Sequence, residues 1–108
     1  MARLLLLGLA VAMLASGCAP SPEELRQRGA AQFQVGNTEA AKETLQQVLD
    51  LKPSDAEALY YMGRISFGDG FYEQAAYYFK CSIDADPSRY DAQQWLARSR
   101  EAIDRARM

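Results

Sequence analysis

Between Leu4 and Leu14 the chain carries no charge and no strongly polar side chain, whereas from Pro22 onward apolar positions recur every three or four residues. That recurrence is the signature of one buried face of a helix. Glycine and proline then divide the region into segments. Pro22–Val35 and Ser54–Phe67 each read as a helix, ended by Gly36-Asn37 and by Gly68-Asp69-Gly70. Glycine supplies the positive φ that such a turn needs. Thr38–Leu51 and Phe71–Ala85 read as two more helices, stopped by Pro53 and Pro87, because a residue before proline avoids helical geometry. Ser54 with Glu57, and Ser88 with Asp91, predict capping boxes, and Ser21-Pro22-Glu23-Glu24 opens the first helix with proline at its favoured position. The tail, Tyr90–Met108, predicts a closing helix with Ala92, Trp95, Leu96, Ser99, Ala102, Ile103 and Ala106 on one stripe. Arg98, Arg100, Arg105 and Arg107 fall largely off that stripe, giving the polar outer face a terminal cap needs.

The four inner helices are two copies of one unit. Residues 22–55 set above 56–89 coincide at ten positions: Glu23/Glu57, Leu25/Leu59, Gly29/Gly63, Phe33/Phe67, Gly36/Gly70, Glu39/Glu73, Ala41/Ala75, Asp50/Asp84, Pro53/Pro87 and Ser54/Ser88. A period of 34 residues implies stacked helical pairs. Within the second unit stand Leu59-x2-Met62-Gly63-x2-Ser66, then Ala75-x3-Phe79, then Pro87; the first has Leu25-x2-Arg28-Gly29-x2-Gln32, then Ala41-x3-Leu45, then Pro53. This resembles the tetratricopeptide repeat, whose pattern runs Trp-x2-Leu-Gly-x2-Tyr, Ala-x3-Phe, Pro. Arg28, Gln32, Ser66 and Val48 depart from that pattern. The resemblance implies an all-α, TPR-type helical solenoid of about five antiparallel helices. Its parts would be TPR 1 at 22–55, TPR 2 at 56–89 and a capping helix at 90–108. Two units and a cap lie at the lower limit for a solenoid, which predicts marginal stability alone or self-association through an exposed end.

The first segment reads differently. Arg3 followed by eleven uncharged residues is too short to span a bilayer, which takes roughly 20 residues, and has the shape of a secretory leader. It ends in Leu14-Ala15-Ser16-Gly17-Cys18. These residues resemble the lipobox of bacterial lipoproteins, with Leu14 one place earlier than usual. The resemblance implies a signal peptide at 1–17, cleaved before Cys18. It also implies a covalent diacylglycerol, and often a further acyl chain such as palmitate, on Cys18. A linker at 18–21 would follow. One acyl chain holds a protein marginally and two or more hold it stably. Ala19 stands where many inner-membrane lipoproteins carry Asp. The resemblance therefore favours the periplasmic face of the outer membrane in a Gram-negative cell, or the outer face of the single membrane in a Gram-positive one. Ala19, Pro20 and Ser21 reach roughly 10–14 Å when extended, so the domain would sit against the bilayer.

Composition narrows the chemistry. The net charge is −2 and nothing calls for a nucleic-acid partner. Histidine is absent, and with it the commonest general base and metal ligand. No phosphate loop, metal-spaced cluster or activated nucleophile stands in the sequence, so the chain is expected to be no enzyme and to need no metal or other cofactor. Tetratricopeptide arrays bind partner segments along the face lined by their first helices. Carried through the period, that face holds the rows Arg26–Tyr60–Gln94, Ala30–Arg64–Arg98 and Phe33–Phe67–Glu101. Arg26, Phe33, Tyr60, Arg64, Phe67, Gln94 and Arg98 are the candidate partner-binding residues, since aromatics supply area and arginines forked hydrogen bonds. The aromatics equally suit packing between helices, and the arginines equally suit a solvated face. The acidic row Glu23–Glu57–Asp91 argues against a clamp for a peptide's C-terminal carboxylate and suits helix starts. Tyr77 is the aromatic expected to be exposed. Cys81 would be the one thiol left after lipidation, either a plain helix residue or a route to an intermolecular disulfide.

The expectation is thus a membrane-anchored scaffold in the bacterial cell envelope that binds an envelope protein or peptide near the membrane. Resemblance to other small repeat lipoproteins suggests assembly of a pilus, secretion or export complex. An adaptor for peptidoglycan hydrolases or cell-wall synthesis is the alternative.

Overall fold

A computed structural model of the chain describes residues 19–108; the leader segment and Cys18 lie outside the described residues. Five helices make up the described part: α1 (Pro22–Gln34), α2 (Thr38–Leu51), α3 (Ala56–Gly68), α4 (Tyr72–Ala85) and α5 (Tyr90–Ala106). No strand occurs among the described residues. Each helix packs on the next, and α3 also touches α1 and α5, so the first helices of successive units form one layer.

The turns repeat as faithfully as the helices. Gly36 and Gly70 have φ of 85° and 83°. Asn37 N–H donates to Gln32 O, and Phe71 N–H to Ser66 O, both at 2.9 Å. Gly36 and Gly70 donate to Phe33 O and Phe67 O at 3.0 Å. This paired arrangement is a Schellman motif, and it satisfies carbonyls that the helix end would leave bare. Gly68, expected in the turn, is instead the last residue of α3.

Helix starts depart further from expectation. Ser21 caps α1, its Oγ accepting from Glu24 N–H at 3.2 Å. At α3 the cap is Asp55 rather than Ser54: its Oδ1 accepts from Ala58 N–H at 2.9 Å. The box of Ser88 and Asp91 does not form. Arg89 is the cap residue of α5 and makes no side-chain cap bond, while Ser88 Oγ donates backward to Asp86 Oδ1 at 2.6 Å. The Asp86 carboxylate, two residues earlier, gives the Ser88 hydroxyl a charged acceptor, and that local bond competes with capping the helix.

Two clusters form the core. Leu25, Ala41, Leu45, Val48, Ala58, Met62 and Ile65 make the first, and Tyr60, Ala75, Phe79 and Ala92 make the second, with Tyr61 packed against both. Small residues let the paired helices approach. A Cβ on Gly63 would stand 2.6 Å from Phe79 Cε1, and one on Gly29 would stand 2.8 Å from Leu45 Cδ2. In α5 the predicted stripe is followed: Ala92 and Ser99 are buried, and Trp95, Leu96, Ala102 and Ile103 half-buried, while Ala106 is exposed. Phe79 is fully buried, Tyr72 and Tyr78 half-buried, and Tyr77 is 65% exposed.

Candidate protein-interaction face

The layer α1–α3–α5 gathers aromatic side chains around one guanidinium. Arg64 projects from the middle of α3, and its Nη1 donates to Tyr60 Oη, one turn back, at 2.8 Å. Its guanidinium carbon lies 4.0 Å from the centroid of Trp95, 5.3 Å from Phe33 and 5.7 Å from Tyr60. Phe33 comes from α1, Tyr60 from α3 and Trp95 from α5, so one arginine reads all three first helices. Phe67 meets the Trp95 ring edge-on at 5.1 Å, and Arg98 lies over that same ring at 4.6 Å. A cation held over aromatic faces gains roughly 0.5–2 kcal/mol each, which fixes the long side chain before any partner arrives. Beside this group is a cleft of about 390 Å³ lined by Phe33, Thr38, Arg64, Ile65, Phe67 and Trp95, among others.

Five of the candidate residues are therefore brought together: Phe33, Tyr60, Arg64, Phe67 and Arg98. Tyr60 is 7% exposed, so it supports the face more than it presents to it. Gln94 is exposed on α5 and engages none of the group. Arg26 is turned to a different task. Its Nε donates to Asp55 Oδ2 at 2.9 Å, and Glu57 lies 3.8 Å away. Arg89, the cap residue of α5, pairs within its own segment: its Nη2 meets Asp91 Oδ2 at 2.8 Å, and its guanidinium lies 4.9 Å from the Tyr60 ring.

These pairs set the charges at the helix starts. Burial opposes ionisation of Asp55, but hydrogen bonds from Arg26 and from Ala58 N–H outweigh it, so the carboxyl sits below its ordinary value. The hydrogen bond from Arg89 lowers Asp91 likewise, against a smaller effect of burial. The acidic row expected at the helix starts is thus largely matched by Arg26 and Arg89.

Trp95, Arg89 and Asp55 escaped the sequence reading as members of this face. Trp95 had the signal: it is the single tryptophan, three residues before Arg98 on one helix. Its place on an apolar stripe made packing a sufficient explanation. Among the described residues no group of His, Cys, Asp or Glu is placed to hold a metal ion, and no helix is long and apolar enough to cross a membrane. Cys81 is a free, half-buried thiol on α4.

Comparison with known families fits this geometry. Residues 22–65 match the family model of the tetratricopeptide repeat. The match covers α1, α2 and most of α3, and so includes Phe33, Tyr60 and Arg64. The tetratricopeptide repeat is a protein–protein interaction module, and its family is a non-catalytic scaffold. The five-helix, all-α fold of the described residues is consistent with a TPR-type helical repeat. No curated protein matches the chain.

Proposed function

We propose that the chain is a lipid-anchored scaffold of the bacterial cell envelope. It binds a segment of a membrane-proximal envelope protein along the α1–α3–α5 face and assists assembly of a pilus, secretion or export complex. The observation that carries the binding half is the preorganised group of Phe33, Arg64, Phe67, Trp95 and Arg98 beside an open cleft on the face that tetratricopeptide repeats use. The anchoring half is supported by the leader pattern ending at Cys18 and by the three residues between that cysteine and α1. Acyl chains on Cys18 would hold the domain at the bilayer, and the short linker limits its reach to partners there.

Two measurements test the two halves separately. Intact mass and membrane fractionation of the mature chain are expected to show acylation, and a Cys18→Ser variant should lose the acyl mass and leave the membrane fraction. For binding, a photo-crosslinking residue is placed in living cells either at Gln94, exposed beside the group, or at Tyr77, exposed on α4. Neither position bears on the core. An envelope protein captured from Gln94 and not from Tyr77 supports the reading, and its identity decides between an assembly complex and the cell-wall machinery. Capture from Tyr77 alone moves the interaction off this face and overturns it.

A further inference from the structure

Of the arginines around the interaction face, two already have carboxylates and two do not. Arg26 is held by Asp55 and Glu57, and Arg89 by Asp91. Arg64 and Arg98 form no ion pair among the described residues. The one acid near Arg98 on its own helix, Glu101, pairs with Arg105 instead. Arg64 gives one N–H to Tyr60 Oη, and a guanidinium has five. A chain of net charge −2 thus presents two arginines without an ion pair on one face, with Asp69 lining the cleft beside Arg64 but forming no ion pair with it.

Their positions are correlated by a shared ring. Both guanidinium carbons lie over Trp95, at 4.0 and 4.6 Å from its centroid. Those distances cap their separation at about 9 Å, and a carboxylate at the ring's edge reaches guanidinium groups this close through N–H···O bonds of about 2.9 Å. Trp95, Phe33 and Phe67 give the place low polarity, which strengthens a charge-assisted hydrogen bond relative to one in water. We propose that Arg64 and Arg98 form a receptor for an aspartate or glutamate side chain of the partner segment, held in place by their shared contact with Trp95. The inference rests on the interaction-face reading above and adds the chemistry of what is recognised: an acidic residue flanked by apolar ones that enter the adjoining cleft.

The test selects from a random dodecapeptide display library on the full-length chain in detergent micelles, with Trp95, the only tryptophan, as a fluorescent reporter of the site. Wild type is expected to select peptides at least threefold enriched in Asp and Glu and to bind their Asn/Gln twins about tenfold more weakly. Arg64→Gln and Arg98→Gln should each remove most of that discrimination. Arg98 is exposed, so its variant keeps the fold even if Arg64→Gln loosens the aromatic group. Selected peptides that shift Trp95 emission but show no acid preference overturn the carboxylate receptor while leaving the interaction face standing. Selection of no peptide, or only of peptides that leave Trp95 emission unchanged, overturns both. A Trp95 shift with anionic phospholipid vesicles and not with peptides reassigns the arginine pair to the membrane and likewise overturns the proposal.

Discussion

Asp55 carries two tasks that the sequence assigned elsewhere. It caps α3 through Ala58 N–H, and it binds Arg26 across from α1 while only 2% exposed. Removing a cap costs about 1 kcal/mol, and breaking a buried ion pair from one side costs about 3–5 kcal/mol. Arg26 keeps 22% of its side chain in solvent, which lowers the second figure. Asp55→Ala is therefore expected to lose about 3 kcal/mol in urea unfolding. Asp55→Asn should lose somewhat less, because asparagine still caps. The pH dependence follows from the lowered folded-state value. Stability from Asp55 is full above the unfolded-chain value of about 3.9 and is lost as pH falls through the folded value. Wild type should thus weaken steeply below about pH 4, and Asp55→Asn less steeply, since Asp91 still titrates in the same direction. Equal slopes would deny the Arg26–Asp55 pair its role. The sequence could not reveal this pair, because a cap one residue earlier, at Ser54, satisfies every local rule. Only the arrival of Arg26 from another helix makes the carboxylate the better choice.

Local patterns served better for whole elements. The 34-residue period, the turn glycines, the exposed Tyr77 and the extent of α2 were all legible, because each is dictated within a few residues of backbone chemistry. The proposed interaction face was half legible. Helical phase put Phe33, Tyr60, Arg64 and Phe67 on one side, yet phase cannot say that Trp95 of α5 stands beneath Arg64 of α3. The paired glycines invite an element-level test. Alanine in place of glycine gains about 1 kcal/mol of helix propensity, whereas overpacking a filled core costs about 1–3 kcal/mol. At Gly63 the new methyl meets three atoms of the rigid Phe79 ring at 2.6–2.9 Å, so the cost wins. Gly63→Ala should destabilise by about 1–2 kcal/mol. At Gly29 the neighbours are Cδ2 and Cγ of the buried Leu45, at 2.8–2.9 Å, an aliphatic side chain that gives way more readily than a planar ring. Gly29→Ala is expected within about 1 kcal/mol of wild type, and a larger loss there than at Gly63 would contradict the argument from ring rigidity.

For the molecule as a whole, the decisive asymmetry is that α3 alone has first-helix neighbours on both sides. Seven of its residues are buried, against two each for α1 and α5. At the α5 end the repeat's apolar and glycine positions change character. Positions that hold Leu25 and Leu59 in the repeats hold Gln93 in α5, and those of Gly29 and Gly63 hold Ala97. Gln93 and Ala97 are exposed, so α5 offers no apolar seam to a further helix pair. In a stack where each element contacts only its neighbours, the ends open with less free energy than the middle. Amide exchange followed by mass spectrometry should accordingly find α3 slowest, with α1 and the last third of α5, from Glu101 onward, exchanging at least about tenfold faster. Because Trp95 and Arg98 lie before that point, the α3–α5 part of the proposed binding face persists while the tip frays, whereas Phe33 opens with α1. Uniform protection from α1 to α5 would mean that two units and a cap open only as one body. The low-lying opening at the ends would then be absent.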